Sequence, residues 1–186
     1  MGVFKYLSNM WRADGMPAEL KRERLIKWRR EPVTVRIDSP TRIDRARALG
    51  YHAKQGVFVV RQRVKKGSHK RPDWAGGRRS RNMGSRLMLN KNYKTIAEER
   101  ASKKFANCEV LNSYYVLEDG KNYWFEVIMV DRAHPCVLSD KRTNWVLGQP
   151  GRVFRGLTSA ARRSRGLHKK GKGSEKTRPS RKAHLK

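Results

Sequence analysis

The side chains whose type and spacing point to chemistry are cations, and the chemistry they suit is phosphate binding. Residues 61–86 hold ten Lys and Arg against one acid, Asp73. Arg61, Arg63 and Lys65 alternate with Val60, Gln62 and Val64, so a strand here sets three charges on one face. The run continues through Lys66, His69, Lys70 and Arg71 as a cationic ridge leading out of a sheet. One acid cannot neutralise ten cations locally, so a polyanion is the expected counter-charge. The chain has 26 Arg and 19 Lys, weighting the excess toward the planar fork that pairs phosphate bidentately.

Residues 73–86 follow as a glycine-rich, aperiodic loop carrying Arg78, Arg79, Arg81 and Arg86. Loops of this length inside a compact domain usually have a function or lack fixed structure. Glycine lets backbone amides approach phosphates, and Trp74 is suited equally to stacking on a base and to anchoring the loop by packing. Gly76-Gly77-Arg78 is not a nucleotide-hydrolase phosphate loop, because GxxxxGK[ST] is absent.

A second cationic motif, RGLTSAARRSRG over residues 155–166, reads as a short helix. Thr158 or Ser159 is its cap and Gly166 its stop. Small residues and Arg162, Arg163 and Arg165 leave almost no apolar face to bury, which favours close approach to a nucleic-acid backbone. Beyond it Lys169, Lys170, Lys172, Lys176, Arg178, Arg181 and Lys182 dominate a tail too poor in apolar residues to offset its ordering entropy alone. This tail is expected to order on its partner.

Catalytic groups are few. His52, His69, His134, His168 and His184 are scattered. Glu98-Glu99, Glu118-Asp119 and Asp131 are explained more simply as a cap, a turn and charge partners for Arg100, Lys103 or Arg132 than as metal ligands or acid–base pairs. Serines lack a matching His/Asp arrangement. Cys108 and Cys136 form neither a disulfide framework nor CxxC zinc spacing, so a reduced, cytosolic setting is expected. No active site, metal site or small-molecule substrate is expected.

The composition agrees. The 186 residues carry a net charge of +29, and 33% are charged, against roughly 25% in an average soluble protein. Residues 1–60 hold a net +7, 61–86 hold +9, 87–149 only +1, and 150–186 +12. A near-neutral core flanked by cationic segments is the pattern of a nucleic-acid-binding protein. Apolar runs reach only about four residues, far short of the roughly 20 that span a bilayer, and the N-terminus does not read as a signal peptide. No membrane partner is expected.

Periodicity supplies the elements that must hold these charges. Val3, Phe4, Leu7, Met10 and Trp11 share a helical face that Asp14-Gly15 interrupts. A basic helix follows from Pro17 to about Arg30, with Leu20, Ile26 and Trp28 apolar. Pro32 then leads into an edge strand over 33–37, a short helix over 41–49 ends at Gly50, and a strand covers 57–64. Thr95 and Glu98 have capping-box spacing, with Asn92 as a start one turn earlier. Strands over 109–117 and 123–130 join across Asp119-Gly120. Apolar residues of both parities there (Val110, Tyr114 and Val116; Leu111, Tyr115 and Leu117) suggest a sheet covered on both faces. The expected fold is α+β, in the order β-α-β-α-β-β behind a helical arm.

GYHAKQG at 50–56, RVKKG at 63–67 with KRP at 70–72, AEERA at 97–101, VLNSY at 110–114, FEVI at 125–128 and RGLTSAARRSRGL at 155–167, in this order, strongly resemble the L-fifteen-e family of archaeal and eukaryotic large-subunit ribosomal proteins. The resemblance extends to about residue 174, and the tail is similar to archaeal members. It implies a three-layer α/β/α core around a small, mainly antiparallel four-stranded sheet. Residues 1–149 would be one domain, with an arm (1–31) and a basic RNA-binding loop (65–90), and 150–186 an extension ordered on rRNA. It implies a structural constituent of the large subunit, cytoplasmic, without enzymatic activity. Its partners would be large-subunit rRNA and neighbouring ribosomal proteins, with any structural Mg²⁺ held by the rRNA. The RNA-contacting set would be Lys54, Gln55, Arg61 to Arg71, Arg78 to Arg86, Arg152 and Arg155 to Arg165, plus the tail cations. A DNA-binding architectural protein is the alternative that the charge pattern leaves.

Overall fold

In a computed structural model, the structure describes residues 2–12, 16–77, 79, 83–84, 86–87 and 89–179. The expected break at Asp14-Gly15 and the expectations for Arg78, Arg81, Arg181 and Lys182 lie outside them.

The chain runs α1 (Val3–Arg12), α2 (Ala18–Arg30), β1 (Thr34–Ile37), α3 (Ile43–Ala48), β2 (Val57–Lys65), β3 (His69–Lys70), β4 (Arg86–Leu87), α4 (Tyr93–Lys104), β5 (Cys108–Glu118), β6 (Asn122–Asp131), α5 (Pro135–Leu138) and α6 (Ser159–Ser164). One antiparallel sheet has the order β1-β2-β6-β5, and β3 and β4 pair as a separate ribbon. The expected edge position of β1 agrees with this order. β6 is central, and Trp124 to Val130 are all buried. A strand buried on both faces reads as an unbroken apolar run, interrupted here by Glu126.

Two apolar clusters lie against the sheet. One joins Leu25 and Trp28 of α2 and Ala46 of α3 to Val59, Tyr114, Trp124 and Ile128. The other joins Ala97 and Ala101 of α4 to Val60, Val64, Phe125, Val127 and Met129. In α2 the buried positions are Leu25 and Trp28, whereas the expected Leu20 and Ile26 stay exposed. Leu25 lies three residues before Trp28, on the same helical face, and Ile26 falls off it. The mixed parity in β5 has a second cause besides two-sided burial. Bulges between Val110 and Asn112, and between Tyr115 and Leu117, shift its register against β6, and each bulge exchanges the faces of the residues that follow.

Cations fasten the arm to this core. The guanidinium of Arg42 lies 4.7 Å from the Trp11 ring and that of Arg47 5.2 Å from Phe4, within cation–π range. At the turn into β2, Gly56 has φ +82°, and a Cβ there would come within 2.7 Å of Val137 and 2.8 Å of His134. The buried Glu126 closes the turn before α3. Its carboxylate accepts the Thr41 amide at 3.1 Å and the Tyr114 hydroxyl at 2.5 Å. Burial raises its pKa against the opposing pull of these bonds. Tyr114→Phe is therefore expected to destabilise the fold by about 1–3 kcal/mol, measured by urea unfolding, since it strips a donor from a buried carboxylate.

Candidate nucleic-acid interface

The two cationic segments meet where α4 begins. Asn92 caps α4 by accepting the Thr95 amide at 2.8 Å. It also donates to the Ala160 carbonyl at 2.9 Å, and its own amide donates to Ser164 Oγ at 3.1 Å. One side chain thus joins the end of the basic loop to α6. A cleft of about 490 Å³ opens there between Leu89, Lys91 and Arg163. At the loop's start, the Tyr93 hydroxyl accepts the Gly67 amide and donates to the Gly67 carbonyl, both at 3.0 Å. The β3–β4 ribbon narrows the loop further on, pairing His69 with Leu87 and Lys70 with Arg86.

Within the motif of residues 155–166, Ser159–Ser164 form a six-residue helix capped by Thr158, whose Oγ1 accepts the Ala161 amide. Thr158 is fully buried, and Ala160 and Ala161 are nearly so. The small residues therefore pack α6 tightly on α4, contrary to the expectation that this helix has little reason to pack on protein. Glu98 makes the junction. It is fully buried, accepting Ser113 Oγ at 2.5 Å and Thr158 Oγ1 at 2.6 Å. It is neither the expected cap nor a surface charge partner. Desolvation pushes its pKa up, opposed by the two hydroxyls and by Lys94 and Arg152. Desolvation also lowers the pKa values of Lys94 and Arg152. The surroundings of Glu98 held a signal in the sequence: its neighbours Thr95, Ala97, Ala101 and Ser102 are small, and all are buried.

The expected RNA-binding cations divide into two groups. Some are engaged within the fold. Arg61 bonds Glu31 and lies 4.4 Å from the Trp28 ring, fixing α2 on the sheet. Arg152 is buried, donating to the carbonyl of Leu111 at 3.0 Å and to that of Val110, with its guanidinium 5.0 Å from Trp145. Lys54 pairs with Asp140 at 2.9 Å, and this bond holds the Asp140 carboxyl below its ordinary range. Arg63 donates to the Arg29 carbonyl at 2.8 Å, and Lys66 pairs with Glu118 at 3.4 Å. Arg155 bonds the Pro150 carbonyl, Arg165 the Gly156 carbonyl and Arg178 the Lys169 carbonyl. The first two stay exposed and Arg178 is half-buried.

Most of the other expected contact residues lie at the surface. Gln55, Lys65, His69, Lys70, Trp74, Arg79, Ser159, Arg162, Arg163, Lys169, Lys170, Lys172 and Lys176 are all exposed, and Arg71 is half-buried. Arg86 takes its place in β4. Among the described residues no group of three or more His, Cys, Asp or Glu forms a metal-binding cluster, and no helix is long and apolar enough to cross a membrane.

A mixed helix-and-strand core presenting an Arg-rich helix and loop defines a class, that of structural proteins built to carry surplus positive charge. The comparisons specify it. The family model described as Ribosomal L15 matches residues 2–184. The large ribosomal subunit protein eL15 of Methanocorpusculum labreanum is 49% identical over 185 residues, covering 98% of this chain and 95% of that protein. The eL15 of Methanocella arvoryzae is 47% identical over 187 residues, with the same coverage. The chain belongs to the L15e family of ribosomal proteins. It is a structural ribosomal protein and not an enzyme.

Glu98 supplies a pH test. Its folded pKa lies above its unfolded value, so its contribution to stability is fully present below the unfolded pKa and is lost as pH rises through the folded one. Glu98→Gln is expected to flatten the decline in unfolding free energy above about pH 4.5 (the ordinary Glu value), measured by urea unfolding across pH. Thr158→Val is expected to cost about 1–3 kcal/mol and to speed amide exchange in α6 selectively, because it removes both the cap and the bond to Glu98.

Proposed function

We propose that the chain stabilises the large ribosomal subunit by binding its rRNA through two cationic surfaces that converge on α6. The observation that carries this reading is the Asn92 bridge, which holds the loop end and the Arg-rich helix in one frame. Exposed Arg162 and Arg163, with Arg165, then face solvent from a helix whose opposite side is buried. The β3–β4 ribbon and Lys65 extend the surface along the loop. Arg61, Arg152 and Thr158 serve in this reading as positioning residues, because their polar groups are occupied inside the protein.

The two apolar clusters support a three-layer α/β/α arrangement of residues 1–149, and the burial of Val153, Ala160 and Ala161 supports an extension anchored at its root. The partners that follow are large-subunit rRNA and adjacent ribosomal proteins, and the place of action is the cytoplasmic ribosome. The relatives' names, which set them in the large subunit, support the same assignment.

Arg162→Ala, Arg163→Ala and Arg165→Ala combined are expected to weaken binding to a large-subunit rRNA fragment. The dependence of log affinity on log salt should flatten by about 2–3, since each neutralised phosphate contributes roughly 0.7–0.9. Duplex DNA of equal length serves as the comparison ligand. Unchanged affinity and slope on rRNA, or equal wild-type affinity for the DNA, would refute the reading.

A further inference from the structure

A basin lies at the open edge of β2. β1 pairs with β2 only from Gln62 back to Val59, so residues 63–65 of β2, still paired with β6 on their other side, have no strand beside them on the β1 side. Arg63 still donates its amide to the Val33 carbonyl at 2.9 Å, and ladder alternation turns the Lys65 amide to the same side. A cavity of about 770 Å³ occupies this gap. Arg63, Lys65 and Lys66 line it from β2 and its exit, Arg100 from α4, and Lys121 from the β5–β6 hairpin turn, and the lining holds no carboxylate.

Lys66 has its partner in Glu118, outside the lining. Among the described residues Lys65, Arg100 and Lys121 have no carboxylate within 4 Å. Cations surrounding a hollow focus their field into it and raise the local concentration of anions. Three separate parts of the chain bring these charges together, so they are held by the sheet, a helix and a tight turn rather than strung along one loop. Two of them, Arg100 and Lys121, lie outside the basic runs of the sequence.

We propose that this basin seats the sugar–phosphate backbone of an rRNA strand passing the β5–β6 hairpin, with Arg100 and Lys121 gripping successive phosphates. The proposal rests on the rRNA-binding reading above and adds a second, concave contact to it. Full-length Arg100→Ala/Lys121→Ala removes two cations that make no ion pair among the described residues. Gly120→Glu places a carboxylate at the rim, where a Cβ meets nothing within 4 Å.

Both variants are expected to melt at the wild-type temperature and to bind large-subunit rRNA more weakly. The double variant should lower the salt slope by about 1.5. In the assembled large subunit, Lys65 and Lys121 should resist an amine-acylating reagent and form zero-length crosslinks to RNA. Wild-type affinity and slope in both variants, while the wild-type chain still binds rRNA, would overturn the basin and leave the wider reading intact. Failure of the wild-type chain to prefer rRNA over DNA would overturn the wider reading instead. Crosslinks from Lys121 to a protein would also overturn the basin, as would inorganic phosphate binding that the variants lose while their rRNA affinity persists.

Discussion

Mutual repulsion among uncompensated cations is the constraint around which this protein is organised. A surplus of +29 on 186 residues opposes compaction unless the charges are separated or neutralised. The chain separates them. Its near-neutral stretch, residues 87–149, supplies α4, β5 and β6, which carry much of both apolar clusters. The cations concentrate in segments attached to that core at few points, where a polyanion can reach them. Counterion release then makes affinity largely electrostatic, and the core supplies geometry.

At the attachment points the fold places acids, two of them, Glu98 and Glu126, fully buried. Glu98 fastens α6 through Thr158 and lies in the field of Lys94 and Arg152. Glu126 fastens the turn before α3 through the Thr41 amide. Glu31 holds Arg61 and thereby α2. Each acid meets hydroxyls, amides or a cation, as buried carboxylates must, because an unpaired one costs several kcal/mol. These acids do not neutralise the surplus. They set the position of the helices that carry or flank it.

Much of this was legible in the sequence, because the signals are local. Apolar alternation marks β2 and β6, Asn92 and Thr158 are cap residues ahead of helices, and charge counts mark the loop and the extension. What was not legible depends on long-range pairing. Ile26 rather than Leu25 looked apolar-facing in α2, because only the packing against Trp124 selects the Leu25–Trp28 side. The bulges in β5 arise from its register against β6, and no local pattern encodes them. Glu98 read as a cap or an exposed charge because its partners, Ser113 and Thr158, lie 15 and 60 residues away. Arg100 read only as a charge partner for nearby acids, and Lys121 escaped notice, for the same reason. Each sits in a near-neutral stretch, and only the fold brings them beside Lys65.

Cation counts mark the basic segments but not which of their cations the fold engages internally. Arg61 and Arg152 belong to the most basic segments, yet their guanidinium groups are occupied by Glu31 and Trp28, and by the carbonyls of Val110 and Leu111. Arginine suits this internal duty, since its planar fork satisfies several acceptors and stacks on aromatic rings at once. On the proposed reading, such residues give up phosphate contact to hold in place the surface that carries Arg162 and Arg163. Thr158 and the two alanines, buried beneath them, fix the backbone that carries these guanidinium groups, which on the proposed reading lowers the ordering entropy lost on RNA contact. On the proposed reading, Lys169, Lys170, Lys172 and Lys176, all exposed, would add phosphate contacts beyond that fixed frame.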